Sequence, residues 1–179
     1  DPGFPGAATI PTPHFRFVHD AGSEGLARHL AGIAEDKRRW VLGVLSAQDE
    51  RTFEVRIASS EEEMERAVGT DRPVREWIAG LAISRRNLIV ISARGNEFFS
   101  ASDTFLHELA HVYLDAAVGG RPVPRWFHEG IAMLVAPEHL GERLKSLLGA
   151  AATGSFLGIE DLDEKFPADG PAVQLAYAQ

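Results

Sequence analysis

The chain has 179 residues, of which 45% are hydrophobic and 25% charged, and a formal net charge of −8. These are the proportions of an ordinary globular chain long enough for one domain. The acidic balance argues against nucleic-acid binding, no apolar run approaches the roughly 18 residues of a membrane span, and the lack of cysteine excludes disulfides and thiolate metal sites.

In chain order, residues 1–13 are rich in proline and glycine and read as an extended leader. The opening Asp1-Pro2-Gly3 reads as a processed boundary, so the compartment is not legible from targeting. Phe15 and Phe17 alternate with polar neighbours over residues 14–19 and predict a strand. Asp20 or Ser23 then caps a helix from about Glu24 to Leu45, whose Leu26, Leu30, Ile33, Ala34, Trp40, Val41 and Val44 form an apolar stripe for the core. Residues 52–57 alternate as a second strand. Ser59 or Ser60 caps a short helix from Glu61 to Val68, whose glutamates suit the positive end of a helix dipole. After a turn at Gly69 to Pro73, Gly80 to Ser84 and Asn87 to Ser92 predict a hairpin around Arg85-Arg86.

The next helix is predicted to start at a Ser102 or Asp103 cap and to end at Gly119-Gly120. It carries His107-Glu108-Leu109-Ala110-His111. Two histidines four apart lie one above the other on one helix face, so both imidazoles can reach a single ion. Glu108 sits about 100° round the helix, beside that ion rather than on it, where a general base for a metal-activated water belongs. This is the His-Glu-x-x-His pattern of zinc hydrolases. Pro122 and Pro124 cannot continue a helix, and Pro124 suits the first position of the next one, which carries Trp126 to Val135. A further helix is predicted around Glu138 to Leu148, a small-residue stretch over Ala150 to Gly158, and a last helix over residues 172–179 that stops after two turns and implies a continuation, a partner or a frayed end.

Catalytic zinc takes three protein ligands and keeps one position for water. A third histidine six residues after His111, with glycine at three, would mark one branch of such enzymes; Ala117 and Leu114 stand there instead. Asp115 shares the face of His111, but one straight helix does not bring three successive turns to one ion, so Asp115 reads as an acceptor behind a ligand or a cap. Glu129, eighteen residues after His111 on the returning helix, is the best candidate. Its neighbours Trp126, Phe127, Ile131 and Met133 give it an apolar setting in which an unpaired carboxylate is expensive. Gly130 costs a helix about 1 kcal/mol against alanine, which close approach to the metal helix would explain, and Ala132 would serve the same approach. His128 is the alternative ligand.

The two motifs, His107 to His111 and Pro124-Arg125-Trp126-Phe127-His128-Glu129-Gly130-Ile131-Ala132, resemble those of gluzincin metallopeptidases, specifically the bacterial peptidase MA-like domains. The opening strand with Thr12 to Phe17, the long helix, and the strands before the metal helix are similar in layout as well. The resemblance implies an α+β, zincin-like fold: a small mixed sheet, then the His-Glu-x-x-His helix, then a helical second half. It implies zinc held by His107, His111 and Glu129, with Glu108 as catalytic acid and base in peptide-bond hydrolysis. Ala176-Tyr177-Ala178-Gln179 resembles a family segment that makes Tyr177 the expected oxyanion donor, with Tyr113 as its competitor. Family members continue beyond this point with a helical segment that closes the cleft. Residues 14–179 are thus expected to form a single domain shortened at that helical end, acting on a peptide or protein substrate outside the cytoplasm. The alternatives are a zincin-fold module that binds metal or a partner without cutting, and a metal-free domain with a fortuitous motif.

Overall fold

The structure, a computed structural model, describes residues 7–69, 79–94 and 100–136. Its elements are β1 (Ala8–Pro11), β2 (Phe15–His19), α1 (Glu24–Leu45), β3 (Phe53–Ala58), α2 (Glu61–Val68), β4 (Gly80–Ile83), β5 (Leu88–Ser92), α3 (Ala101–Ala117) and α4 (Arg125–Val135). The strands form one sheet in the order β1-β2-β3-β5-β4. Its centre, β2-β3-β5, is parallel, and both outer strands are antiparallel to their neighbours. The result is the small mixed sheet followed by helices that the family resemblance implies.

Alternation along the strands divides the core in two. Phe15, Phe17, Phe53, Val55, Ile57, Ile89 and Ile91 bury against α1 and α3. Leu88 and Val90, one residue out of step, bury against Met64, Ala67 and Val68 of α2. A central parallel strand covered on both faces needs such an unbroken apolar run, which is why Leu88 to Ile91 does not alternate with polar residues. Phe105 seats α3 on the sheet, with its ring 5.7 Å from Phe15 and 5.9 Å from Phe17. One turn-pair further along, Tyr113 meets Phe53 edge-on at 5.5 Å.

Several local expectations are corrected. Within the predicted leader, residues 8–11 form β1, the edge strand paired with β2. In α1 the inward stripe is Ala27, Leu30, Ala34, Arg38 and Val41, with Leu42 beside it. Trp40 and Val44 fall one position off that 3–4 spacing and are exposed, and the Trp40 indole donates to the Val135 carbonyl at the end of α4 (3.2 Å). The cap of α3 is Ser100, whose hydroxyl accepts from the Asp103 amide at 3.2 Å. Asp103 therefore sits in the first turn, where its charge meets the positive helix end. Pro124 is the half-in residue before α4, and the helix begins at Arg125. The predicted hairpin is present, with Ser84–Arg86 as a single 3-10 turn closed by Asn87 at φ 48°. The helices predicted around Glu138 to Leu148 and at 172–179 lie outside the described residues.

Candidate metal centre

α3 delivers the site because its apolar and polar stripes diverge. Phe105, Leu109 and Val112 face the sheet, while His107 and His111 emerge along the side that α4 covers. Their Nε2 atoms come to 3.2 Å of each other. After α3 the chain reverses at Gly119 and Gly120, both left-handed (φ 65° and 70°), a pair of conformations that glycine adopts without the strain of a Cβ. Pro122 and Pro124 keep the connection extended, and α4 then returns across α3.

The return brings Glu129 to the histidines. Its Oε2 lies 3.4 Å from His107 Nε2 and 3.7 Å from His111 Nε2. These three side chains are the one group of metal-ligating donors found converging among the described residues. A tetrahedral ion with bonds of about 2.0–2.2 Å separates its ligand atoms by about 3.3–3.5 Å, close to what is seen. Glu129 is only 8% exposed, and its Oε2 is a buried oxygen without a hydrogen-bond donor in place. Its other oxygen lies 3.8 Å from Arg125 Nε. A carboxylate oxygen left so, facing two imidazole nitrogens, fits a shared cation better than it fits a packed core.

Titration follows the same geometry. Burial pushes His111 down to about 4, with His107 adding to the fall, so its imidazole is neutral near pH 7 and has a lone pair to offer. Burial acts to raise the Glu129 carboxyl, but attraction to His107, His111 and Arg125 prevails and holds it below its ordinary value. Burial pushes Glu108 up to about 7, the charge of Glu129 adding to the rise and His107 and the Ala82 amide opposing it. A carboxyl poised near neutrality is what proton transfer at neutral pH requires.

The remaining candidates separate cleanly. His128 turns from the cluster toward Asp115, with Nε2 3.4 Å from Asp115 Oδ1, and its ring lies 5.7 Å from that of His111. Through its other oxygen Asp115 accepts a hydrogen bond from the Ser84 hydroxyl, so one carboxylate touches both α4 and the β4–β5 turn. That is the supporting place its position on α3 suggests. Tyr113 is fully buried against Phe53 and is a core residue. Tyr177 lies outside the described residues. Gly130 is exposed, and a Cβ there would meet no described atom within 4 Å, so close helix packing does not explain it; Ala132, fully buried, carries that contact.

Two features were not read from the sequence. The Ala82 amide acts on the Glu108 carboxyl, opposing its rise, and Gly80 lies against the same side chain. The available signal was the small-large alternation Gly80, Leu81, Ala82, Ile83, which marks one face of β4 as closely approached.

Comparison with known proteins places the site in context. The family model described as Peptidase MA superfamily matches residues 44–179. Among solved structures, native yeast LTA4 hydrolase is similar in fold, with a TM-score of 0.54 and 13% identity. The match covers 96% of this chain and 28% of that one, so this chain spans little more than a quarter of that protein's length. No curated protein matches the chain.

Proposed function

Since the chain belongs to the Peptidase MA superfamily and has a zincin-like fold, we propose that it is a zinc-dependent peptidase of the gluzincin type. The observation that carries this reading is the convergence of His107, His111 and the orphaned Glu129 Oε2, with Glu108 beside them. His107, His111 and Glu129 are the proposed zinc ligands. A zinc ion held there supplies Lewis acidity that brings a water toward a pKa of about 7. Glu108 takes the proton of the attacking water and hands it to the leaving amine. Asp115, through His128, braces α4 and so holds Glu129 against the histidines. Tyr177 is the proposed oxyanion donor on resemblance to the family.

A peptide is the substrate class that the family favours, and β4 supports it. β4 ends the sheet among the described residues and packs beside α3. An extended peptide adds to an open strand edge through main-chain hydrogen bonds, which would lay it next to Glu108.

The test is zinc content and turnover of a mixed peptide library by wild type and Glu108→Gln. One zinc per chain is expected, with Glu108→Gln keeping the metal and losing about 100- to 10,000-fold in kcat. Wild-type turnover by Glu108→Gln would remove the base assignment. Stoichiometric zinc without turnover would identify a binding module, and folded protein without zinc affinity would remove the site.

A further inference from the structure

Gly80 opens β4 and pairs with Ile91 of β5. A Cβ built on it would stand 2.5 Å from Thr104 Cγ2, 3.0 Å from Glu108 Cγ and 3.2 Å from Glu108 Oε1. Thr104 and Glu108 are four apart on α3, so they form one ridge, and both are buried. The backbone at Gly80 occupies the place between them where a side chain would be. Two residues on, Ala82 shares that face of β4, and its amide is near enough to the Glu108 carboxyl to oppose its rise.

Gly80 has no left-handed φ among the positive-φ glycines. Its backbone is one that any residue adopts, so turn geometry does not demand glycine there. What demands it is space. Carbon atoms pack at about 3.5–4.0 Å, so a methyl group at 80 requires a displacement of about 1 Å at Thr104. Thr104 has little room to give, being β-branched, helical and buried. The displacement therefore falls on the spacing between β4 and α3, and with it on Glu108.

We propose that Gly80 is a positioning residue: its missing side chain lets the sheet edge close onto α3, so that the backbone of β4 holds the Glu108 carboxyl beside the metal ligands. This rests on Glu108 being the general base. The distance set at Gly80 is the distance between the strand that would carry a peptide and the group that would move the proton. A misplacement of about 1 Å in such an arrangement costs on the order of 100-fold in rate.

The test compares Gly80→Ala, Thr104→Ser and the double variant, with zinc stoichiometry and unfolding midpoint measured on each. Thr104→Ser removes the methyl group at 2.5 Å. Gly80→Ala is expected to keep its zinc and its KM within about threefold while kcat falls about 10- to 100-fold. Thr104→Ser alone should resemble wild type, and the double variant should recover a large part of the loss. The Ala82 amide proton gives a readout free of activity: its resonance should move upfield in Gly80→Ala and return toward the wild-type position in the double variant. If Gly80→Ala does not fold, the comparison is made within the Thr104→Ser background, where the contacts at Glu108 remain and a several-fold fall in kcat is expected.

A wild-type kcat and an unmoved Ala82 resonance in the Gly80 variants would overturn the proposal, as would a loss that Thr104→Ser does nothing to relieve. Glu108→Gln separates this from failure of the underlying reading. If Glu108→Gln is inactive and Gly80→Ala is normal, only the positioning role falls. If Glu108→Gln is fully active, the base assignment falls first.

Discussion

Glu129→Ala tests the proposed metal centre through stability as well as activity. The three donors meet only when α4 folds back across α3, so an unfolded chain offers no comparable site and zinc binding is linked to folding. At free zinc a thousandfold above Kd, this linkage adds about 4 kcal/mol. A domain of this size moves its Tm by about 2–4 °C per kcal/mol, which predicts a zinc-induced rise of about 8–16 °C in wild type. Losing a direct ligand weakens binding at least as much as losing a supporting residue, whose upper range is about 100-fold. The same zinc then stands at no more than about ten times Kd, and the rise shrinks to at most about 3–6 °C. Without zinc the balance differs. Glu129→Ala removes a buried oxygen that has no hydrogen-bond donor in place, an arrangement whose penalty is about 1–3 kcal/mol. The metal-free midpoint at pH 8 should therefore not fall below that of wild type, and full relief of the penalty would raise it by about 2–12 °C. Differential scanning fluorimetry with chelator and with zinc reads both quantities. If Glu129→Ala lowered both midpoints equally, Glu129 would be an ordinary structural carboxylate and the linkage argument would be wrong.

His128→Ala should weaken zinc binding by no more than about 10- to 100-fold and by less than Glu129→Ala, because His128 supports the site through Asp115 without facing the cluster; a loss larger than that of Glu129→Ala, read by competition with a zinc indicator, would exchange their roles. Acid stability follows from Glu35 and Asp49. Burial acts to raise both, but Thr12 and His14 around Glu35, and Arg51 around Asp49, prevail and hold the folded carboxyls below 4.5 and 3.8. Their stabilisation is present above the unfolded values and is lost as pH falls through the folded ones, so resistance to urea unfolding should weaken steadily below about pH 4.5. Glu35→Gln should be less stable than wild type at pH 6 and converge with it near pH 3, whereas parallel curves across that range would show that Glu35 contributes no linked stability.

The reading of local structure from sequence succeeded where one short-range signal governed. α1 spans Glu24 to Leu45 as its periodicity implies, and α2 starts at a Ser60 cap. It failed where a choice between neighbouring positions depended on contacts from elsewhere. Trp40 and Val44 are apolar residues at nearly helical spacing, but the packed stripe runs through Arg38, which is buried with its guanidinium donating to the Asp49 carbonyl. Residues 8–11 carry no strong strand pattern and become a strand because β2 offers an edge.

By itself the sequence determined the pairing of His107 with His111, since a helix repeats every 3.6 residues and i, i+4 side chains must share a face. It also determined that Glu108 stands apart from them, and it narrowed the third donor to residues of the returning helix. Tertiary structure alone decided between those residues. Glu129 and His128 are adjacent in sequence and about 100° apart on α4, so only the packing of α4 on α3 turns one toward the histidines and the other toward Asp115. It alone decided, too, that Gly80 matters: a missing Cβ has no consequence until another chain segment comes within 3 Å of where it would have been.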